Sequence, residues 1–252
     1  MSLVANYDWS LIWENKGDLL RGLLVAIEVA GVALVISVAL GLVLALLRLG
    51  KPPVSWLAAI YVNVFRGVPA LVSVIWVYFG WSLVVGISFT VFQAGVIALT
   101  LLYSAFISEI YRAALQAIPK GQREAGLALG MHPVRIFVRV TLPQATKIAI
   151  PNIGSMFIGM IKDTSTFTVI GLLELVRVTQ NLNSTTFQPF VLYTAAAGLY
   201  VVAAFAFDFL FRAIEKTLTT PPSGGIARAT AGRRRRRIEL VMKDVEALSG
   251  KT

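Results

Sequence analysis

Long runs of apolar residues, separated by short polar stretches, make up most of the chain. A helix needs roughly 20 apolar residues to cross a bilayer core of ~30 Å. Five segments reach or approach this length, at about residues 19–47, 54–83, 91–115, 145–161 and 190–211. Lys147, Pro151 and Asn152 interrupt the start of the fourth segment, but spanning helices tolerate proline where neighbouring helices satisfy the freed backbone groups. The pattern predicts an all-α integral membrane protein with about five transmembrane helices.

Composition agrees with a membrane protein. Of the 252 residues 57% are hydrophobic and 14% are charged, whereas a soluble domain usually has about 25% charged residues. Cysteine is absent from the sequence, which excludes disulfides, thiol catalysis and thiolate metal sites. A single histidine, His132, has no second metal ligand near it in sequence, so no metal site is predicted.

Lysine and arginine collect on alternate sides of the predicted spans. They are frequent after the first, third and fifth segments and rare in the other connections, and cytoplasmic loops usually carry this excess. We therefore predict an extracytoplasmic N-terminal segment at 1–18, a membrane domain at 19–218 and a cytoplasmic basic tail at 219–252. Five arginines at 233–237 favour anionic lipid, and because the cations follow membrane topology, no nucleic-acid partner is predicted.

The predicted cytoplasmic connection at residues 117–143 is unusually long, since most connections in compact folds span only a few residues. Its sequence GQREAGLALG predicts a helix that starts near Pro119 and ends at Gly130. Residues 134–142 predict a second short helix with apolar and basic side chains on different faces. Two short helices at this surface favour contact with a partner, and an amphipathic loop on lipid headgroups is the alternative.

The spacing of polar and small residues in this connection has a specific form. Glu124-Ala125-Gly126, Gly130 and Leu142-Pro143 resemble the loop of importer permeases of the ATP-binding-cassette (ABC) class, Glu-Ala-Ala-x3-Gly-x9-Ile-x-Leu-Pro. Gly126 and Val140 depart from that pattern. Further stretches resemble the polar amino acid permease branch over about residues 19–216: FRGVPALV at 65–72, SEIYRAALQAIPKGQREAGLALGM at 108–131, KDTS at 162–165 and VIGLLEL at 169–175.

This resemblance implies a type I importer fold and a permease subunit that forms the path for polar amino acids or similar small zwitterions. It implies a cytoplasmic ABC ATPase dimer, a second permease subunit and an extracytoplasmic solute-binding protein, in a bacterial inner or plasma membrane. Identical and different permease pairs both stay open. In the implied coupling loop Glu124 is the charged anchor, Ala125, Gly126 and Gly130 allow close approach, and Leu142-Pro143 joins the loop to the next span.

A nucleotide site is not predicted in this chain. Its last residues, Ser249-Gly250-Lys251-Thr252, resemble the end of a phosphate-binding loop, but Val245 stands where that loop needs its first glycine. The resemblance therefore implies that ATP and Mg²⁺ bind the partner ATPase and that the chain has no cofactor and is not itself an enzyme. A permease for another small solute and a motor-independent channel or carrier are the alternatives, and a channel has no need of an ATPase-docking loop.

Ionisable residues near the spans are the candidates for the substrate path. Arg66 either faces a substrate carboxylate near mid-membrane or, if the chain turns at Gly67-Pro69, anchors at the interface. Glu109 lies three residues before Arg112, a spacing that favours a structural ion pair on one helix face. The run Lys162, Asp163, Thr164 and Ser165 can line the outer path or meet a binding protein, and a helix-end cap is the equal alternative.

Overall fold

The structure is a computed structural model, and it describes residues 7–219. All regular elements in this part of the chain are helical. The α-helices are α1 Ser10–Glu14, α2 Lys16–Arg48, α3 Val54–Gly67, α4 Ala70–Ile75, α5 Trp81–Val85, α6 Val91–Gln116, α7 Lys120–Ala128, α8 Pro133–Ile136, α9 Leu142–Asp163, α10 Leu175–Thr186 and α11 Pro189–Thr219. Wider π-helical turns at Trp76–Gly80 and Phe137–Thr141 and a 3₁₀ segment at Thr164–Ile170 connect some of them.

Three described helices, α2, α6 and α11, are each long and apolar enough to cross a membrane. Two bent helix pairs raise the number of spans to five if each pair counts as one. This agrees with the predicted all-α architecture. The arginine-rich tail and the last four residues, which resemble the end of a phosphate-binding loop, lie outside the described part of the chain.

The chain divides into two compact units, Met1–Arg212 and Ala213–Thr252. The first contains the helical bundle. In the second, the described residues 213–219 are the last turns of α11. The predicted division at 18/19 and 218/219 stays a prediction.

Small residues bring the central helices α2 and α6 close together. Ala26, Ala30 and Ala33 of α2 are completely buried, as is Ala94 of α6. Small side chains let backbones approach closely in membrane bundles, where dispersion replaces much of the hydrophobic driving force. Helices α2 and α6 thus form the centre of the bundle, and α3, α9 and α10 pack against one or both of them.

The second predicted span is not one straight helix. Helix α3 and the α4–α5 segment meet at an angle of 109°. The break falls at Val68, which is extended at φ −92° and ψ 128°, immediately before Pro69. Proline disfavours the helical conformation of the residue that precedes it and cannot donate a backbone hydrogen bond. Of the two alternatives for Arg66, this favours the turned one.

The predicted second short helix of the 117–143 connection is also not separate. The chain is continuously helical from Pro133 through α8, the π-helical turn at Phe137–Thr141 and α9 to Asp163. Pro143 lies in the first turn of α9, directly after the wider turn, where its missing N–H is tolerated. Residues 134–142 are therefore helical as predicted, but they are part of one long helix that continues into the fourth span and do not form a separate short helix.

A buried carboxylate lies at the start of α10 and contacts α11. Glu174 is completely buried and accepts hydrogen bonds from the backbone N–H groups of Val176 (2.9 Å) and Arg177 (2.8 Å), which caps α10. The Tyr200 hydroxyl of α11 donates to the same carboxylate at 2.9 Å. One side chain thereby holds α10 to α11.

Candidate functional site

A short surface helix, α7, lies where the sequence predicts it. It follows Pro119 and ends at Ala128, two residues before Gly130, whose φ of +72° is a left-handed conformation that glycine adopts without strain. The N–H of Met131 donates to the carbonyl of Gly126 at 3.0 Å and that of Gly130 to Leu127 at 2.9 Å. These bonds close the end of the helix in the arrangement typical of glycine-terminated helices.

Helix α7 is fixed to the long helix that contains α8 and α9. Gly126 is buried, and a Cβ built at this position would lie 2.9 Å from both Cγ1 and Cδ1 of Ile136. The Gln144 amide of α9 donates to the Gln122 side chain of α7 at 2.7 Å. A packing contact and a hydrogen bond therefore join the two helices.

The outer face of α7 combines charge with exposed apolar surface. Glu124 and Ala125 are exposed, and so is Gly130. Leu129, just after α7, is 81% exposed, and Leu127 of α7 is also exposed, as are Val134 of α8 and Val138 of the π-helical turn that follows. A mixed patch of this kind on a rigid helix is the usual form of a protein docking surface.

Leu142 and Pro143, predicted as a junction, lie inside the continuous helix. Leu142 is partly buried and Pro143 is exposed, and the backbone does not break at either residue. The surface helix α7 is therefore joined to the span by the Gly126–Ile136 contact, the Gln122–Gln144 hydrogen bond and the continuous helix itself.

Glu109 joins the ends of three helices. Its carboxylate pairs with Arg112 at 2.7 Å, as the spacing predicts, and also with Arg48 at the end of α2. Arg66, in the last turn of α3, lies 4.0 Å away and places its guanidinium over the Phe106 ring, 5.7 Å from the centroid. Sequence reasoning missed the Arg48 contact, because it depends on how α2 packs against α6.

A cavity of about 310 Å³ lies between the α3–α4 break, α6 and α9. Asp163 lines it at the end of α9 and accepts a hydrogen bond from the Tyr103 hydroxyl at 3.0 Å. The remaining walls are largely apolar and include Phe106 and Met156. Asp163 is the only ionisable carboxyl group among the lining residues of this cavity.

Lys162, Thr164 and Ser165, the other members of the KDTS run, lie in different environments. Lys162 lines a second cavity of about 370 Å³ together with Tyr200 and Asp208. The hydroxyl of Thr164 donates to the carbonyl of Ile161 at 2.7 Å, and that of Ser165 to the carbonyl of Lys162 at 2.6 Å. The two hydroxyl residues thus satisfy backbone groups at the end of α9, as the capping alternative expects.

Several known proteins are similar to this chain in sequence. The family model for the binding-protein-dependent transport system inner membrane component matches residues 37–220. The arginine transport system permease protein of Bacillus subtilis is 34% identical over 214 residues, which cover 84% of this chain and 98% of that protein. The L-cystine transport system permease protein of Bacillus subtilis is 33% identical, and the match covers 86% of this chain and 94% of that protein.

Solved structures agree with the sequence matches. The crystal structure of an amino acid ABC transporter with histidines matches at a TM-score of 0.77 and 33% identity, over 83% of this chain and 98% of that one. The methionine ABC transporter MetNI, in an inward-facing conformation, matches in fold at a TM-score of 0.71 and 23% identity, over 82% and 99% of the two chains. The chain is a multi-pass membrane protein and belongs to the family of inner membrane components of binding-protein-dependent transport systems.

Proposed function

We propose that this chain is the transmembrane permease subunit of an ATP-driven importer and forms the path for an amino acid or a similar small zwitterion. The observation that most directly supports this proposal is the attachment of the surface helix α7 to the long α8–α9 helix. Permease relatives named for arginine and L-cystine support it, as does the similarity to an amino acid ABC transporter. A channel that works without an ATPase would need no docking surface on α7.

The geometry suggests how force from a partner reaches the span. An ATPase that binds Glu124 and the exposed apolar residues beside it moves α7 as a rigid body. Because Ile136 fills the space beside Gly126, that movement passes directly to the helix that continues into α9. Interiors packed at this density transmit displacement rather than absorb it. Asp163 lies at the opposite end of the same helix, next to the 310 Å³ cavity.

The proposed setting is a bacterial inner membrane with the N-terminus outside and α7 and the C-terminus in the cytoplasm. The distribution of lysine and arginine supports this orientation. The proposed partners are a cytoplasmic ABC ATPase dimer that binds ATP and Mg²⁺, a second permease subunit and an extracytoplasmic solute-binding protein. The family description, which names a binding-protein-dependent system, supports the last of these.

Within the permease, we assign the substrate path to the cavity lined by Asp163. A carboxylate in a largely apolar site attracts the ammonium group that every free amino acid carries. Glu109 has a different role, since its carboxylate is paired with Arg48 and Arg112. Lys162 faces the neighbouring cavity, so it does not share this contact.

Charge reversal on α7 tests the proposed coupling. Glu124→Arg should leave the amount of folded permease unchanged but abolish co-purification of the ATPase and ATP-dependent uptake in proteoliposomes. Glu14→Arg is the matched control, because Glu14 is also exposed but lies on α1. Unchanged uptake by the Glu124→Arg transporter would overturn the coupling role.

A further inference from the structure

The cluster around Glu109 contains more positive charge than its carboxylate neutralises. Three guanidinium groups, of Arg48, Arg66 and Arg112, surround one carboxylate and leave an excess of two positive charges. Arg112 approaches one carboxylate oxygen and Arg48 the other. Charges drawn together in a partly dry environment are normally balanced by partners, so this excess indicates an anion.

Arg66 is the member of the cluster whose donors are free to bind such an anion. Its guanidinium makes no hydrogen bond within residues 7–219, lies 4.0 Å from Glu109, and stacks on Phe106. Its side chain is 45% exposed, whereas that of Arg48 is 17% exposed. Arginine offers five N–H donors in a planar fork whose spacing fits two oxygens of a phosphate group.

The position of the cluster indicates where the phosphate comes from. Arg48 is the last residue of α2, and Arg112 lies one turn before the end of α6, so both long apolar helices end at this level. Leu46 and Leu47, beside Arg48, are 38% and 39% exposed and continue the apolar surface away from the charges. Basic sites between the ends of transmembrane helices are typical binding sites for anionic lipid headgroups.

We propose that Arg48, Arg66 and Arg112 form a phosphate-binding site at the ends of α2, α3 and α6, which takes the headgroup of an anionic phospholipid. The same chemistry would accept free inorganic phosphate, so the two sources are separated by experiment. Arg66 is the principal donor, and Arg48 and Arg112, held by Glu109, complete the positive field. The site does not depend on the proposed transport function.

The full-length permease in detergent, incubated with equal amounts of phosphatidylglycerol and phosphatidylcholine, gives the main test by native mass spectrometry. The wild type should retain phosphatidylglycerol preferentially, and Arg66→Gln should reduce that retention about fivefold, the effect of one cation near a phosphate. Arg21→Gln is the control, because Arg21 is an exposed arginine at the opposite end of α2. Equal retention of phosphatidylglycerol by wild type and Arg66→Gln would overturn the proposal.

Arg66→Lys and inorganic phosphate refine the result. Lysine keeps the charge but lacks the planar fork, so retention between that of wild type and Arg66→Gln supports a bidentate contact. In lipid-depleted micelles, the melting temperature is measured in inorganic phosphate and in chloride at equal ionic strength. A higher melting temperature in phosphate for the wild type but not for Arg66→Gln assigns the site to soluble phosphate. Lipid retention without that rise assigns it to the headgroup. Absence of both responses in the wild type refutes the site.

Discussion

Ile136 occupies the space that a side chain at Gly126 would need, with its Cδ1 2.9 Å from the position of a built Cβ. The resemblance to importer permeases expects alanine at this position, and from sequence the glycine reads only as a weaker helix former. The structure gives it a packing role instead. Gly126 lets α7 lie directly on the helix that continues into α9, and this contact is the mechanical link in the proposed coupling.

Gly126→Ala should therefore loosen the contact although it strengthens the helix. Overpacking in a filled site costs about 1–3 kcal/mol, and alanine in place of glycine returns about 1 kcal/mol of helix propensity, so a net loss of about 0–2 kcal/mol is expected. Hydrogen–deuterium exchange of the α7 amides should accelerate about tenfold, and ATP-dependent uptake should fall.

The compensating variant for this contact is Gly126→Ala combined with Ile136→Val. It returns the added methyl volume by removing one methylene from the partner, so part of the protection and uptake should recover. If Gly126→Ala alone exchanges as slowly as the wild type, Ile136 moves aside without cost and the packing argument is wrong.

Gly22→Ala should destabilise the bundle far more than Gly31→Ala on the same helix. A Cβ at Gly22 would lie 2.9 Å from the backbone Cα of Leu175, which cannot rotate away, whereas nothing lies within 4 Å of a Cβ at Gly31. We expect a loss of about 2–3 kcal/mol for the first and no loss for the second. Thermal unfolding of the two variants in the same detergent measures the difference, and equal melting temperatures would contradict the close approach of α2 to α10.

Glu109→Gln should destabilise the end of the bundle where α2, α3 and α6 meet. It removes the carboxylate and leaves Arg48, Arg66 and Arg112 facing one another. Breaking a fully buried pair costs 3–5 kcal/mol, and because these side chains are partly exposed we expect about 1–3 kcal/mol, measured as a lower melting temperature. Asp18→Asn is the control, since the Asp18–Arg21 pair is exposed and should contribute less than about 1 kcal/mol. Similar losses in the two variants would show that Glu109 is no more than a surface partner.

Local chemistry explains which features could be predicted from the sequence. Pro119 and Pro69 mark the start of α7 and the break after α3 because proline fixes its own φ and lacks a backbone N–H. Gly130 marks the end of α7 because glycine adopts a left-handed conformation without strain. The wrong prediction of a separate helix at 134–142 arose because Pro143 can either end a helix or lie in its first turn. The π-helical turn before it decides for the latter.

Contacts between distant segments could not be predicted in this way. The approach of Arg48 to Glu109 depends on the register of α2 against α6, and that of Ile136 to Gly126 on how the chain folds back after Gly130. The KDTS run shows the same limit inside one motif. Asp163 and Lys162 are neighbours in sequence but line different cavities, because adjacent residues on a helix point about 100° apart.

Asp163→Asn should impair uptake without disturbing assembly. The carboxylate lines the proposed substrate cavity, and a hydrogen bond to a charged group contributes about 1.5–3 kcal/mol, so the loss of charge should lower uptake about 10- to 100-fold. Tyr103→Phe removes only the hydroxyl that donates to Asp163 and should have a smaller effect.

Asp208→Asn is the matched control, because Asp208 pairs with Arg212 and lines the other cavity. Uptake is measured in proteoliposomes at equal amounts of assembled transporter. If Asp163→Asn transports as well as the wild type, the ammonium contact lies elsewhere and the cavity is not the substrate site. If both variants lose uptake equally, the two cavities belong to one continuous path, and the assignment to Asp163 alone is too narrow.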